Sequence, residues 1–380
     1  MRPDLETSAG LEVVKDAILR ATRPGEKGDF AQVCRVFGPD RRPVALSDTI
    51  ARPGRLSLSA PCPDPAGLPL RSGRWLFGGI GFLHFGHALI FSTARLWALD
   101  HMKGAVDGIL YFDRSTRHGT RSGTSRHVEA ILALLGIDLP VVTVGQDERV
   151  EELVVAEAGI STSADLFAGT EGFRAFIRRR LCPAPGSVPS AHVPETHLYV
   201  SRLKLGYAKT GLMFEDRIET LMAAAGYQVF YPERSSLEDQ VALYRRAARI
   251  VGVDGSALHL AAFAAPASAQ VAILGRRPYF PEALAGQFRA FSGASACVLR
   301  PPTQIFRPPG HVETSDAWTA SYSLPDFPSL ERALADAGFL AAARGGWTNP
   351  TQEELDARIR LISRRSGRSL ASHPADRLPI

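Results

Sequence analysis

The chain has 380 residues, 45% of them hydrophobic and 22% charged, and this balance excludes intrinsic disorder, collagen and coiled coil as descriptions of the whole chain. A chain of this length is expected to form two or three domains, and it needs no disulfide bond or structural metal to stabilise its core. The net charge is +5, arginine outnumbers lysine by 39 to 5, and no cluster of basic and aromatic residues occurs, so a nucleic-acid-binding protein is not predicted.

The first 190 residues are predicted to alternate loosely between strands and helices, as an N-terminal α/β domain. The predicted elements are a helix near Leu11–Ala21, strands at Phe30–Phe37 and Arg74–Gly81, a helix over His84–Asp100, a strand at Asp107–Phe112, a helix at His127–Leu135, strands at Pro140–Val144 and Arg149–Ala156, and a helix at Glu171–Arg180. Residues 182–196 then contain four prolines, which is typical of a linker and predicts the domain boundary.

The chain after the linker alternates regularly between strands and helices of 10–15 residues, which predicts βαβ units and a parallel sheet over residues 195–300. Strands are predicted at His197–Ser201, Tyr227–Tyr231, Ile250–Val253 and Gln270–Leu274, and helices at Phe214–Ala225, Ser235–Ala248 and Ser256–Ala264. A capping box, Ser235 with Glu238, is predicted to open the second of these helices. Residues 301–380 are predicted to be a helical extension, with helices near Leu330–Ala343 and Gln352–Ser363.

The segment Val251–His259 reads Val-Gly-Val-Asp-Gly-Ser-Ala-Leu-His and predicts a tight turn from a strand into a helix. The free amides and the dipole of a first helical turn form an anion site, and Gly255 allows a ligand to approach closely because it has no Cβ. Ser256 adds a hydroxyl donor. The alternative is an ordinary turn in which Asp254 or Ser256 caps the helix.

A second candidate site follows the first strand of this domain, where Arg202 and Lys204 lie, with Lys209 nearby. Cations at the carboxyl end of a parallel strand are suited to neutralise a diphosphate. A solvated basic loop is the alternative.

The predicted helix over His84–Asp100 is poor in charge and has a polar stripe that contains His84, His87 and Arg95. A helix so poor in charge is expected to be buried, so this stripe either lines a cleft or has internal partners. His87 is a candidate general base, and a buried structural histidine is the alternative.

Acids and amides near the start of the Ser235 helix, among them Glu238 and Gln240, could hold ribose hydroxyls or a base edge. The capping box explains Glu238 equally well, and no D-x-D motif typical of metal-dependent sugar transferases is present.

These segments together resemble glycosyltransferase family 61, which includes bacterial capsular-polysaccharide proteins. The resemblance lies in five segments, whose order and spacing agree from about residue 75 to 275: Phe85–Trp97, Leu198–Arg202, Ala225–Glu233, Ser236–Gln240 and Ile250–His259. It implies a GT-B fold, in which two Rossmann-like domains face a cleft and the second holds a nucleotide-sugar.

The resemblance also implies a transfer that inverts the anomeric carbon and needs neither a cofactor nor a bound metal. The expected donor is a nucleotide-sugar, with a UDP-sugar as the first candidate, and the expected acceptor is a saccharide or a lipid-linked saccharide. Arg202 and Lys204 would then stabilise the leaving diphosphate, with Arg202 also acting in catalysis, and His87 would be the base. The remaining predicted donor-binding residues are Glu238, Gln240, Gly255, Ser256, Ala257 and His259.

Two departures from the family pattern leave other functions open. An acid commonly stands four residues after the histidine in the family, and here that position is Phe91. Near His259, an asparagine often found in the family is replaced. The alternatives are a non-catalytic nucleotide-sugar-binding or glycan-binding protein and a GT-B-like nucleotide-sugar epimerase.

The cysteines are far apart and predict neither a zinc site nor a disulfide framework. The N-terminal segment is acidic and has no apolar region typical of a signal peptide, and the longest apolar stretch, Leu258–Leu274, is shorter than the roughly 20 residues that span a bilayer. We therefore expect a soluble, cytoplasmic protein. Five arginines between residues 358 and 368 form a basic tail that is either solvated or in contact with anionic lipid at the inner face of the membrane.

Overall fold

The computed structural model describes residues 10–23, 26, 33–51, 54, 56–58, 60–102, 106–114, 125–181, 196–206, 210–276, 280–301, 303–308 and 321–373. The chain divides into two compact units, Met1–Ser187 and Val188–Ile380. The proline-rich segment predicted as the domain boundary lies outside the described residues as far as residue 195, and so does Lys209.

The first unit is built on a six-stranded mixed sheet with the strand order β2-β1-β6-β3-β4-β5. Its strands are β1 (Leu11–Arg20), β2 (Arg35–Phe37), β3 (Leu70–Ile80), β4 (Gly108–Phe112), β5 (Val141–Val144) and β6 (Glu148–Ala156), and its helices are α1 (Phe85–His87), α2 (Arg126–Leu134) and α3 (Glu171–Leu181). Strands β6, β3, β4 and β5 are parallel, whereas β1 is antiparallel to both β2 and β6. The sheet therefore differs from the all-parallel sheet of a Rossmann-like domain.

The predicted helix near Leu11–Ala21 is wrong, because this segment forms strand β1. Both faces of strand β1 are buried near its end, where Ala17, Ile18 and Leu19 are buried in succession. Leu11, Val14 and Ile18 are buried and follow one another at the three- and four-residue spacing of an amphipathic helix. The β-branched residues at positions 13, 14 and 18 are the signal that favours a strand.

The predicted helix over His84–Asp100 is interrupted. It consists of α1, a π-helical turn at Ala88–Ser92 and a 3₁₀ helix at Leu96–His101. The Ser92 hydroxyl donates to the Ile80 carbonyl oxygen (2.8 Å) and the Thr93 hydroxyl donates to the Leu89 carbonyl oxygen (2.7 Å). Such side chains offer main-chain groups alternative hydrogen bonds, and these bonds coincide with the break in the helix.

The second unit contains a five-stranded parallel sheet with the order β11-β10-β9-β7-β8, which confirms the predicted α/β class. Its strands are β7 (Thr196–Val200), β8 (Gln228–Phe230), β9 (Ala247–Val253), β10 (Gln270–Leu274) and β11 (Ser295–Leu299), and its helices are α4 (Glu215–Ala224), α5 (Leu237–Tyr244), α6 (Ala257–Ala264) and α7 (Phe280–Phe291). The chain runs from β7 outward to β8 and then returns to β9 on the other side of β7. The strand order reverses between β7 and β9, which makes this pair the topological switch point of the sheet.

The end of the chain adds an antiparallel sheet and two helices to this unit. They are β12 (Thr303–Arg307), β13 (Tyr322–Pro325), α8 (Phe327–Asp336), α9 (Gln352–Ser366) and β14 (Ala371–His373). Phe306, Phe327 and Trp347 from this region share one hydrophobic core with Tyr199 and Val251 of the parallel sheet. The region predicted as a helical extension therefore also contains strands.

No helix in the described part of the chain has the length and apolar character needed to cross a membrane.

Candidate active site

The candidate site lies at the carboxyl ends of β7 and β9 in the second unit. These neighbouring strands end at Val200 and Val253, so the residues that follow them meet at one edge of the sheet. In open parallel sheets, ligands bind outside the carboxyl ends of the strands at the point where the strand order reverses. Arg202 and Gly255 each lie two residues beyond a strand of this pair.

Arg202 and Gly255 are in direct contact. A Cβ atom at position 255 would lie 3.0 Å from the Arg202 Cζ atom and closer still to Nη1. The φ angle of Gly255 lies outside the left-handed region, so glycine is needed here for the close approach and not for an unusual backbone conformation. The guanidinium also donates through Nη2 to the Thr210 carbonyl oxygen (3.2 Å). The two residues predicted to bind the same diphosphate are thus side by side.

The first turn of α6 presents main-chain donors beside this pair. The amides of Leu258 and His259 bond to the carbonyl oxygens of Gly255 (3.1 Å) and Ser256 (3.2 Å). The amides of Ser256 and Ala257 precede these bonds and have no acceptor within the helix. Ser256 is half-buried and occupies the predicted N-cap position of α6, but its hydroxyl makes no capping hydrogen bond.

The Asp254 carboxylate forms a buried ion pair with Arg276. Asp254 Oδ1 lies 3.2 Å from Arg276 Nε, and Oδ2 accepts from the Arg276 amide (2.8 Å). The Arg276 Nη1 group then donates to the Thr210 hydroxyl (2.7 Å). Thr210 accepts hydrogen bonds from both arginines, so the ion pair is linked to Arg202 through a single residue. Arg276 was not among the predicted site residues, and its signal in the sequence is its position two residues beyond β10.

Glu215, the first residue of α4, holds the main chain of Arg202. Its Oε1 atom accepts from the Arg202 amide (2.8 Å) and from the Tyr199 hydroxyl (3.4 Å). The residue is 2% exposed, and this burial raises the pKa of the carboxyl to about 7. This role of Glu215 is not predictable from the sequence, because an acid in a first helical turn is already explained by the helix dipole.

Lys204 lies at the same sheet edge but is exposed, with its Nζ atom 5.5 Å from the centroid of the Tyr231 ring. The Tyr231 hydroxyl donates to Glu219 (3.0 Å), and the Ser201 hydroxyl donates to the other oxygen of that carboxylate. Burial, followed by the Glu219 hydrogen bond, raises the pKa of Tyr231 to about 12. Glu219 thereby ties the ends of β7 and β8 together.

Glu238 and Gln240 differ in their surroundings. The predicted capping box is wrong by one residue, because Ser236 is the cap of α5 and accepts from the Asp239 amide (3.0 Å). Glu238 is therefore an exposed first-turn residue without that structural explanation. Gln240 is 5% exposed and donates through Nε2 to the carbonyl oxygens of Pro232 (2.8 Å) and Ser235 (3.2 Å). These bonds give Gln240 a structural function in the turn before α5.

His259 is buried between α6 and α7. Its Nδ1 atom lies 2.6 Å from the Gln287 side-chain oxygen, and its ring meets the Phe280 ring edge to face. The interaction with Gln287 belongs to the packing of the two helices.

In the first unit, His87 is half-buried at the end of α1, within a group of aromatic rings. The ring centroids of Phe82, His84 and Phe91 lie 5.6, 4.9 and 5.8 Å from that of His87. The position at which the family commonly has an acid is therefore filled by a buried ring, Phe91, that packs against the imidazole.

Arg95 from the same predicted stripe is completely buried and has internal partners. Its Nη2 atom donates to the carbonyl oxygens of Leu46 (2.9 Å) and Asp48 (2.7 Å), and burial lowers the pKa of the guanidinium to about 10. The stripe therefore splits into a buried arginine and two more accessible histidines, since His84 is exposed and His87 half-buried.

Part of the chain, which includes this region, matches a known protein family. Residues 85–271, from α1 to the second residue of β10, match the sequence model of the family described as Glycosyltransferase 61. No curated protein sequence matches the chain significantly. Among solved structures, the chain is similar to the bacterial iron-containing dodecameric glycosyltransferase TibC from enterotoxigenic E. coli H10407, with 14% identity over 72% of this chain and 80% of that chain. The TM-score of 0.24 is too low to support an argument about structure. This match to the family model supports the conclusion that the protein is a glycosyltransferase.

Proposed function

We propose that this glycosyltransferase transfers a sugar from a UDP-sugar, with inversion at the anomeric carbon, to a hydroxyl group of a saccharide or lipid-linked saccharide. The observation that carries the proposal is the contact between Arg202 and Gly255 at the switch point of the parallel sheet, within the residues that match the family.

The chemistry of this sheet edge suits a diphosphate. A guanidinium offers a planar set of donors that matches phosphate oxygens, and the amides at the start of α6 add donors together with the positive end of the helix dipole. Lys204 adds a second cation at the same edge. These groups can stabilise the negative charge that develops on the leaving diphosphate. Because these groups can neutralise the diphosphate, we propose that the transfer requires no bound metal.

The proposed base is His87, which the family resemblance assigns to the acceptor side of a GT-B arrangement. The acceptor oxygen attacks the anomeric carbon, the bond from that carbon to the diphosphate oxygen breaks, and the imidazole takes the acceptor proton. The electron pair of the broken bond leaves with UDP, next to Arg202. A positioned general base contributes typically 10²–10⁴-fold to such a rate.

The proposed role is surface polysaccharide synthesis of the capsular type, in the bacterial cytoplasm. Arg364 and Arg368, near the end of α9, are exposed, and we propose that this basic segment contacts anionic lipid. Such a contact would bring the enzyme to an acceptor carried on a lipid.

Thermal unfolding in the presence of UDP and a panel of nucleotide-sugars tests the donor class. A ligand at about a hundred times its Kd stabilises the folded state by about 2.7 kcal/mol, which corresponds to a shift of several degrees. We expect UDP and a UDP-sugar to produce this shift, Arg202→Ala to abolish it, and Arg246→Ala, which removes an exposed arginine elsewhere in the second unit, to retain it. An unchanged unfolding temperature across the whole panel would contradict the proposal.

A non-catalytic nucleotide-sugar-binding protein is a second candidate, favoured by one observation. Phe91 fills the position of the family acid and packs against His87, so the imidazole has an apolar neighbour there. Tight binding of UDP without hydrolysis or transfer of any bound sugar would support this candidate over the enzyme.

A further inference from the structure

Glu215 couples the candidate diphosphate site to the buried interior of the second unit. Its carboxyl group accepts the Arg202 main-chain amide and the Tyr199 hydroxyl, and both bonds reach the same oxygen, Oε1. The other oxygen, Oε2, lies beside Gly211, where a Cβ atom would be 3.6 Å away, and the whole residue is 2% exposed. The carboxyl group is therefore in contact with Arg202 yet shielded from water.

Titratable groups face Glu215 from each neighbouring element. They are Tyr199 on β7, Arg202 in the loop that follows, Glu219 one turn along α4, and Tyr231 beyond β8. Arg202 is the cation in this set and favours the ionised carboxyl. Burial, with a smaller contribution from Glu219, opposes ionisation and raises the pKa to about 7. Near neutral pH, a small change in local charge can therefore add or remove the proton.

Protonation has different consequences for the two functions of this carboxyl group. A carboxylic acid keeps a carbonyl oxygen that can still accept the Arg202 amide, so the main chain stays in place. The negative charge, however, is lost. A diphosphate beside Arg202 would bring negative charge close to Glu215 and compete with it for the guanidinium, and a nearby like charge disfavours the ionised form.

We propose that Glu215 is a proton-linked positioning residue, whose oxygen holds the Arg202 main chain in both protonation states and which takes up a proton when a diphosphate binds. The proposal rests on the proposed function, since it requires that a diphosphate occupies the Arg202 site. It predicts that the affinity of the wild type relative to Glu215→Gln is higher at pH 6 than at pH 8, because proton uptake on binding makes affinity rise as pH falls.

Isothermal titration calorimetry with UDP at pH 7, in two buffers of different ionisation enthalpy, measures the proton uptake. The wild type is expected to take up about 0.5 proton per UDP more than Glu215→Gln, since a group with a pKa near the working pH is half ionised before binding. Proton equilibria of UDP itself cancel in this difference. Glu215→Gln keeps an acceptor oxygen and should bind UDP at least as tightly as the wild type at pH 8, whereas Glu215→Leu should bind about tenfold more weakly.

The matched control is Glu331→Gln in α8. Glu331 is also buried and also accepts main-chain amides, from Arg344 (3.0 Å) and Trp347 (3.3 Å), but it does not contact Arg202. This variant should retain the UDP affinity and proton uptake of the wild type. Equal proton uptake in the wild type and Glu215→Gln would overturn the proposed proton linkage.

A readout without any ligand separates this proposal from the proposed function. Hydrogen exchange of the Arg202 amide should be at least tenfold faster in Glu215→Leu than in the wild type, and close to the wild-type rate in Glu215→Gln. Unchanged exchange in a folded Glu215→Leu protein would overturn the positioning role. Failure of the wild type to bind UDP would instead count against the proposed function.

Discussion

The Arg202 guanidinium occupies the space that a side chain at position 255 would need. Arg202 follows β7 and Gly255 follows β9. The two residues are in contact at the carboxyl-end edge of the sheet, at the point where the strand order reverses. The close approach of Arg202 explains why residue 255 is glycine. Adding a single methyl group at this position therefore tests whether the position of Arg202 matters for binding.

Gly255→Ala should displace the Arg202 side chain and weaken UDP binding by about tenfold or more. The added methyl group would meet the flexible end of the Arg202 side chain, which can move away, so the loss of folding stability should be small. Calorimetric titration with UDP and thermal unfolding of the same samples measure the two effects. Gly346→Ala is the control, because a Cβ atom there meets nothing within 4 Å and the backbone is not left-handed. Equal UDP affinity in both variants would show that Arg202 does not need its present position.

His87→Ala should lower the rate of sugar transfer by about 10²–10⁴-fold and leave UDP affinity unchanged, because a general base acts on the acceptor proton. The control is His84→Ala, which removes an exposed imidazole whose ring centroid lies 4.9 Å from that of His87. Turnover should be measured with donor and acceptor at saturation. A His87→Ala rate within a few fold of the wild type would exclude His87 as the base.

Arg276→Met should reduce the free energy of unfolding by about 3–5 kcal/mol, because it leaves the carboxylate of Asp254 buried without its guanidinium partner. Urea unfolding followed by circular dichroism gives this value. The comparison variant is Arg300→Met, whose ion pair with Glu282 is largely exposed and should contribute far less. An equal loss of stability in the two variants would show that burial of the Asp254–Arg276 ion pair is not the cause of the loss in Arg276→Met. Adding Asp254→Asn to Arg276→Met should recover part of the loss.

Glu215 makes folding stability depend on pH in a direction opposite to that of a typical acid. Its pKa is raised from 4.5 to about 7, so the folded state binds more protons than the unfolded state between these values. The stability contributed by this group therefore falls as pH rises through that window. Relative to the wild type, Glu215→Gln should gain about 3 kcal/mol between pH 4 and pH 8, as measured by urea unfolding. A pH-independent difference between the two proteins would contradict this prediction.

The second unit was more predictable from sequence than the first. Regular alternation of strands and helices predicted β7 to β10 within a few residues, because each parallel strand is a short apolar run between turn residues. Strand β1 was mistaken for a helix, since burial on both faces erased the two-residue alternation on which strand prediction depends. Helix α7 and the strands from β11 onward were not predicted.

Within the candidate site, short motifs predicted the proximity of Arg202 and Gly255 because both follow parallel strands of one sheet. The partners that hold them could not be predicted in the same way. Glu215 and Arg276 act through burial and through hydrogen bonds to distant parts of the chain, and neither property leaves a local pattern. The capping residue of α5 was wrong by one position because Ser235 and Ser236 are adjacent and chemically identical.

The antiparallel sheet near the end of the chain also bears on how the protein could be dissected. Ser323 on β13 accepts the Met213 amide (2.8 Å), donates its own amide to Gly211 (3.2 Å), and bonds through its hydroxyl to the Arg276 carbonyl oxygen (2.9 Å). A protein shortened to the family-matched residues would lose the three hydrogen bonds of Ser323 together with much of its hydrophobic core. The parallel sheet of the second unit is therefore not expected to fold by itself, because the residues near the end of the chain form part of the same hydrophobic core.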